Sequence, residues 1–270
     1  MILFRVFLYL NGWIALAAGL QSWYWALYFS MSSPLLYGVL IFCGTLFIYN
    51  FHRFVKHRKQ LPFESERQQW IRKHPIELIT CMTIAGITSF ILLIFKFPEL
   101  LLCFLPITLV SAIYTLFRSG ILIKPDQIHL NKTIIIAACW VYLCVFIPAK
   151  TGTGEFIALP LIHIFLLINA TALIFDIRDM EQDTELNRSI PGIFGPKNSL
   201  ILAYFSIFAA VVLGVVFQHY PLAMASIAVL VSGLLLFAFR KLFEKELLYT
   251  AGVDGLLIIH PLVLFAFTDF

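Results

Sequence analysis

Three aspartates, Asp176, Asp179 and Asp183, stand at the end of an apolar run in the stretch Phe175-Asp176-Ile177-Arg178-Asp179-Met180-Glu181-Gln182-Asp183. At about 100° per residue they share an arc of roughly 60° if the helix continues. Carboxylates grouped at the mouth of a membrane bundle are a natural seat for Mg²⁺ and, through the metal, for a diphosphate. That makes Asp176, Asp179 and Asp183 the candidate metal ligands.

Other polar residues inside apolar segments gather toward the same end. They are Asn11, Asn50, Tyr114, Asn169 and Asp254. Asn169 precedes Asp176 by seven residues, so the two share a helix face. A single intramembrane Asn is more simply read as glue between helices. The set, taken with three aspartates, reads as a cavity open at one end. His163 and His260 lie nearer the middle or the other end. Neither has an obvious second ligand, so both read as hydrogen-bonded structural histidines. The five cysteines lie in apolar segments without metal-ligand spacing, and read as reduced packing residues.

Elements that position these groups must cross a membrane. Hydrophobic residues make up 61% of the chain and charged residues 13%, with a mean hydropathy of +0.92, whereas soluble domains carry roughly 25% charged residues. The first apolar segment carries Asn11 and Gln21 and does not read as a cleavable signal peptide. Nine spans are expected, at 5–29, 33–53, 77–95, 98–117, 132–149, 156–176, 198–217, 221–239 and 249–268. They form one transmembrane helical domain over 1–270, an all-α polytopic bundle. Pro106 and Pro261 fall inside spans and are expected to kink them. No internal repeat is evident.

Lys and Arg fix an orientation. With nine spans, all 19 except Lys96 and Lys150 fall on the side of the N-terminus. The positive-inside rule puts the N-terminus in the cytoplasm and the C-terminus outside, with the protein integral to the cytoplasmic (inner) membrane. These short basic loops give no reason to expect a nucleic-acid partner. Within the long loop 54–76, the stretch Gln60 to His74 is expected to form a short interfacial helix with Phe63, Trp70 and Ile71 toward lipid.

Asp-Ile-Arg-Asp-Met-Glu-Gln-Asp, followed by Asn-Arg-Ser-Ile-Pro-Gly-Ile-Phe-Gly, resembles the second aspartate-rich motif of the UbiA superfamily of intramembrane prenyltransferases. Asp179 and Asp183 match its D-x-x-x-D pair, which the resemblance makes the candidate catalytic pair. Asp176 stands where an upstream Asn or Asp belongs. Tyr114-Thr115 with Arg118 resembles the end of the family's fourth helix, and Asp254-Gly255 is similar to its last span. The resemblance implies a UbiA-like nine-helix bundle and Mg²⁺ as cofactor. It also implies an isoprenoid diphosphate or related lipid as ligand, within the membrane lipid.

The first motif departs from the family. Where N-D-x-x-D-x-x-x-D is expected, the chain has Asn50-Phe51-His52-Arg53-Phe54-Val55-Lys56-His57-Arg58. Asn50 matches; Phe51, Phe54 and Arg58 replace the aspartates. Arg53 and His57 fall on one stripe with Asn50. The substrate-binding set is therefore Asn50, Arg53, His57, Tyr114, Arg118, Asp176 and Asp254. One reading is a prenyl transfer from an isoprenoid diphosphate to an unassigned acceptor, with a single Mg²⁺ site on the second motif and arginines meeting the phosphates directly. The alternatives are a non-catalytic relative that binds a lipid or partner, its mouth latched by an Arg53–aspartate pair, or an isoprenoid carrier. Basic residues at a cytoplasmic helix end need no function at all.

Overall fold

A computed structural model describes residues 2–57, 66–118, 132–152, 157–179, 189–239 and 246–270, and every element in them is helical. In chain order these are α1 (Ile2–Tyr9), α2 (Gly12–Tyr28), α3 (Pro34–His57), α4 (Glu66–Lys73) and α5 (Pro75–Phe95). A 3₁₀ turn (Pro98–Leu100) leads into α6 (Leu101–Arg118). Next come α7 (Lys132–Val141), a π-helical stretch (Tyr142–Phe146) and α8 (Ile147–Thr151). Last are α9 (Ala158–Asp179), α10 (Ile190–Phe194), α11 (Pro196–Val216), α12 (Tyr220–Ala238) and α13 (Glu246–Phe267).

Prolines set several of the starts. Pro75, Pro98, Pro196 and Pro221 sit in the first turn, where the missing N–H breaks no hydrogen bond. Pro148 stands further inside its span. It has no N–H to return to the Cys144 carbonyl, and its ring crowds that carbonyl. The backbone widens there into the π stretch, which runs directly into α8. Pro106 and Pro261 lie within α6 and α13.

Among the described residues, eight helical segments are long and apolar enough to cross a membrane. The pair α1 and α2, bent by 73°, meets the same length and hydropathy only when the two are taken together. Eight of the nine expected spans are therefore single helical segments, and the expected continuous first span over 5–29 is broken. Asn11 takes a left-handed conformation at φ 60° between the two helices. Asn tolerates that region better than branched or bulky residues, because its short side chain bonds locally.

Helix α2 is the most enclosed part of the bundle. It packs against α3, α13, the π stretch and α8, and its small residues Ala15, Ala18, Gly19, Ser22 and Ala26 are buried. Gly19 and Gly38 face each other across α2 and α3. A Cβ on Gly19 would stand 3.0 Å from the Gly38 carbonyl oxygen, and one on Gly38 would stand 2.9 Å from that of Gly19. Small residues at such crossings let backbones approach without a hydrophobic drive between helices. Around the other side, α13 packs on α12, α12 on α11, α11 on α9, and α9 on α7 and α13. Helices α5 and α6 flank α3 at the edge with most of their surface exposed.

The two ends of the bundle differ in chemistry. One is closed by aromatic side chains: Tyr24, Trp25, Phe29, Tyr37 and Phe97 are fully buried, and Tyr37 donates to the Leu143 carbonyl at 2.6 Å. The other end, where α2 begins and α3 and α9 finish, is the polar mouth. Helix α4 lies over it, against α1, α5 and α13. This corrects the expected interfacial helix. Among the described residues the helix runs over Glu66–Lys73, Ile71 is 2% exposed, and it faces protein rather than lipid. The bundle offers α4 an apolar shelf, so its apolar face has no need of the membrane. Phe63 lies outside the described residues.

Candidate functional site at the mouth

The break between α1 and α2 leaves backbone carbonyls without helical partners, and the mouth is built around satisfying them. The Nε of Arg67 donates to the Tyr9 carbonyl at 3.0 Å. The Asn50 amide donates to the Leu10 carbonyl at 2.8 Å and to Leu46, one turn back on its own helix, at 2.8 Å. Asn50 Oδ1 accepts from Asn11 Nδ2 at 2.8 Å. Two guanidiniums then converge on one amide oxygen: Arg53 Nε donates to Asn11 Oδ1 at 3.3 Å, and Arg67 Nη2 donates to the same atom. Asn50 and Arg67 are both buried.

Asp254 of α13 lies beside this group, buried. It sits within the electrostatic reach of Arg67, Arg178 and Arg53. Opposite charges so placed offset a desolvation that would otherwise be costly. Arg178, near the end of α9, lies over the rings of Phe175 and Tyr249, 5.2 Å from each centroid, and donates to Thr250 Oγ1 at 3.3 Å. It thereby ties α9 to α13 just below Asp254.

Asp176 is buried and accepts from Lys132 Nζ at 2.9 Å. That ion pair joins the end of α9 to the start of α7. Tyr114 packs at a tilt against His52 of α3, with ring centroids 5.4 Å apart, and His52 also meets Ser111 at 3.2 Å. The structure therefore gathers Asn50, Arg53 and Asp254 around one point, holds Asp176 against Lys132, and sets Tyr114 on the α6 side. Helix α9 continues through Asp179, but the Asp179 side chain and the whole of Asp183 lie outside the described residues. So do the side chains of His57 and Arg118.

Three participants were not in the sequence-derived set: Arg67, Lys132 and Arg178. Arg67 had a readable signal. It is four residues before Ile71, so an amphipathic α4 that buries Ile71 carries Arg67 inward on the same face. Lys132 and Arg178 looked like ordinary basic residues at span ends.

The α3 side of this mouth does not fit a metal. Phe51 and Phe54 occupy two carboxylate positions, and the polar atoms nearby are amides and guanidiniums. Among the described residues no group of three His, Cys, Asp or Glu could hold a metal ion. On the α9 side the carboxylates that would hold one are Asp179 and Asp183.

An apolar helical bundle with a buried, charge-rich mouth at one end defines a polytopic membrane protein. The chain matches the model of the UbiA prenyltransferase family over residues 72–248, and it belongs to that family. The matched region contains the second aspartate motif and starts after α3, where the first motif is rewritten. No curated protein and no solved structure matches the chain.

Proposed function

We propose that the protein is a divergent prenyltransferase of the cytoplasmic membrane, its mouth facing the cytoplasm, that binds an isoprenoid diphosphate headgroup first. The observation that carries this reading is the convergence of Arg53 and Arg67 on Asn11, beside Asn50, where the family resemblance calls for carboxylates. Guanidiniums meet phosphate oxygens bidentately and need no metal to do so. Members of this family generally use Mg²⁺; held by Asp179 and Asp183, it would supply charge to the leaving diphosphate. Arg53 and Arg67 would hold the other face of that diphosphate. The allylic C–O bond breaks with its electron pair leaving on the diphosphate, and an electron-rich acceptor captures the allylic cation and loses a proton.

A second reading has its own support. Asp176 is already paired with Lys132, and Asn50 spends both amide protons and its oxygen inside the protein. A mouth so engaged suits a non-catalytic relative that keeps the bundle to bind a lipid or a partner.

Binding of geranylgeranyl diphosphate to the purified protein, with and without Mg²⁺, separates the two. The enzyme reading expects Mg²⁺-dependent binding that falls about 10- to 100-fold in Asp179→Ala/Asp183→Ala, the scale of losing charge-assisted contacts. Arg53→Gln is expected to weaken binding both with and without the metal. Binding indifferent to Mg²⁺ and to the aspartates would select the non-catalytic relative.

A further inference from the structure

Away from the mouth, a second set of polar groups lies inside the bundle. Among the described residues, the buried side-chain atoms without a hydrogen-bond partner are Gln21 Nε2, Trp25 Nε1, His163 Nδ1, Asn169 Oδ1, Ser199 Oγ and His219 Nδ1. Gln21 and His163 belong to one hydrogen-bonded chain through His260, and Trp25 and His219 both lie against Tyr28. Gln21 and Trp25 are one turn apart on α2, on the same face. Gln21 Oε1 meets His260 Nδ1 at 3.1 Å, and His260 Nε2 meets His163 Nε2 at 3.1 Å. Ser226 of α12 adds its hydroxyl 3.0 Å from that same His163 nitrogen. His219, between α11 and α12 at the aromatic end, meets the Tyr28 hydroxyl at 3.3 Å and lies within electrostatic reach of His163. Asn169 follows His163 by six residues along α9 and precedes Asp176 by seven.

An orphaned buried polar group costs about 1–3 kcal/mol, so a dry core would not collect those of Gln21, Trp25, His163 and His219 in one region. Buried water makes 2–4 hydrogen bonds to such groups. The protonation pattern points the same way. A carbonyl oxygen only accepts, so His260 Nδ1 carries a proton toward Gln21 and its Nε2 offers a lone pair. His163 Nε2 then donates to it, leaving His163 Nδ1 as a bare acceptor. One ring nitrogen has one proton, so His163 Nε2 cannot also serve Ser226, whose hydroxyl needs another partner. A metal does not explain the group, because three suitable ligands do not converge among the described residues.

We propose that water fills this seam and joins His219, His163 and His260 into a proton path from the aromatic end toward Asn169 and Asp176 at the mouth. Imidazole relays protons by taking one on one nitrogen and releasing another from the second. Water delivers a proton to Nδ1 of His163 while Nε2 releases its own to Nε2 of His260. His260 then gives its Nδ1 proton to water beside Gln21, so each ring ends uncharged. Burial holds the His219 imidazole below its ordinary value of 6.5, so it stands neutral and ready to accept. The path does not depend on prenyl chemistry at the mouth.

Hydroxyl-radical labelling by pulsed X-ray radiolysis modifies buried side chains that touch bound water. Trp25 and His163 are expected to label although they are buried, whereas Tyr37, equally buried and bonded to Leu143, stays unmodified. In vesicles carrying the full-length protein, proton flux down a pH gradient is expected to exceed that of protein-free vesicles. It should drop to that baseline in His163→Phe and in His219→Phe. Trp25 and His163 as unlabelled as Tyr37 would overturn the hydrated seam. Labelling without excess flux, or flux that survives in a folded variant, would overturn the relay. The His219 site is only half-buried, so its variant keeps the test open should His163→Phe fail to fold.

Discussion

Arg67 reaches from α4 into the joint between α1 and α2 and serves two acceptors there, the Tyr9 carbonyl and the Asn11 amide oxygen. Arg67→Ala is expected to leave that buried carbonyl unpaired and cost about 1–3 kcal/mol, read as a lowered Tm in detergent. Arg67→Lys should recover little of it, because an ammonium is a point charge without the fork that spans both acceptors. The same residues show what a sequence withholds. Asn50 was correctly singled out as an interior polar group, since an amide in an apolar run declares itself. Its bonds to Leu10 and Leu46 were not legible, because they answer a backbone break that hydropathy does not register. Asn11 was read as part of a continuous helix, as the sign of its φ angle leaves no trace in the apolar pattern. Asp176 was legible as a buried carboxylate. Its partner Lys132 was not, because 44 residues and an intervening loop separate the two.

At the scale of elements, the span count was legible almost throughout, because each crossing needs about 20 apolar residues and the loops between them are charged. Only the first crossing differs. Helix α4 was placed correctly in the chain and incorrectly in its surroundings, since an apolar face looks the same whether it meets lipid or protein. The tightest joint in the bundle is the one between α2 and α3 at Gly19 and Gly38. Gly38→Val is expected to force the two backbones apart at a cost of about 1–3 kcal/mol, measured as thermal unfolding of the solubilised protein. Gly44 of the same helix is the control, since a Cβ there comes no closer than 3.4 Å to Ser89. Gly44→Ala should be nearly silent.

For the whole molecule, the strong asymmetry of Lys and Arg predicts which face meets the cytoplasm. Lys150→Cys is expected to react with an impermeant thiol reagent added outside intact cells. Lys197→Cys should react only after the membrane is opened. The reverse pattern would turn the proposed orientation over. The bend between α1 and α2 has a practical corollary. Arg5 of α1 comes within 4.0 Å of Glu66 of α4, and its guanidinium lies over Tyr9, 5.1 Å from the ring centroid. The leading residues are therefore stitched to the helix that roofs the mouth. Any affinity handle fused ahead of them would hang beside the opening where we propose that a diphosphate binds. A handle fused after Phe270, where Tyr24 meets that ring at the opposite end, leaves the opening clear, and the two fusions should differ in headgroup binding although the bundle between them is the same.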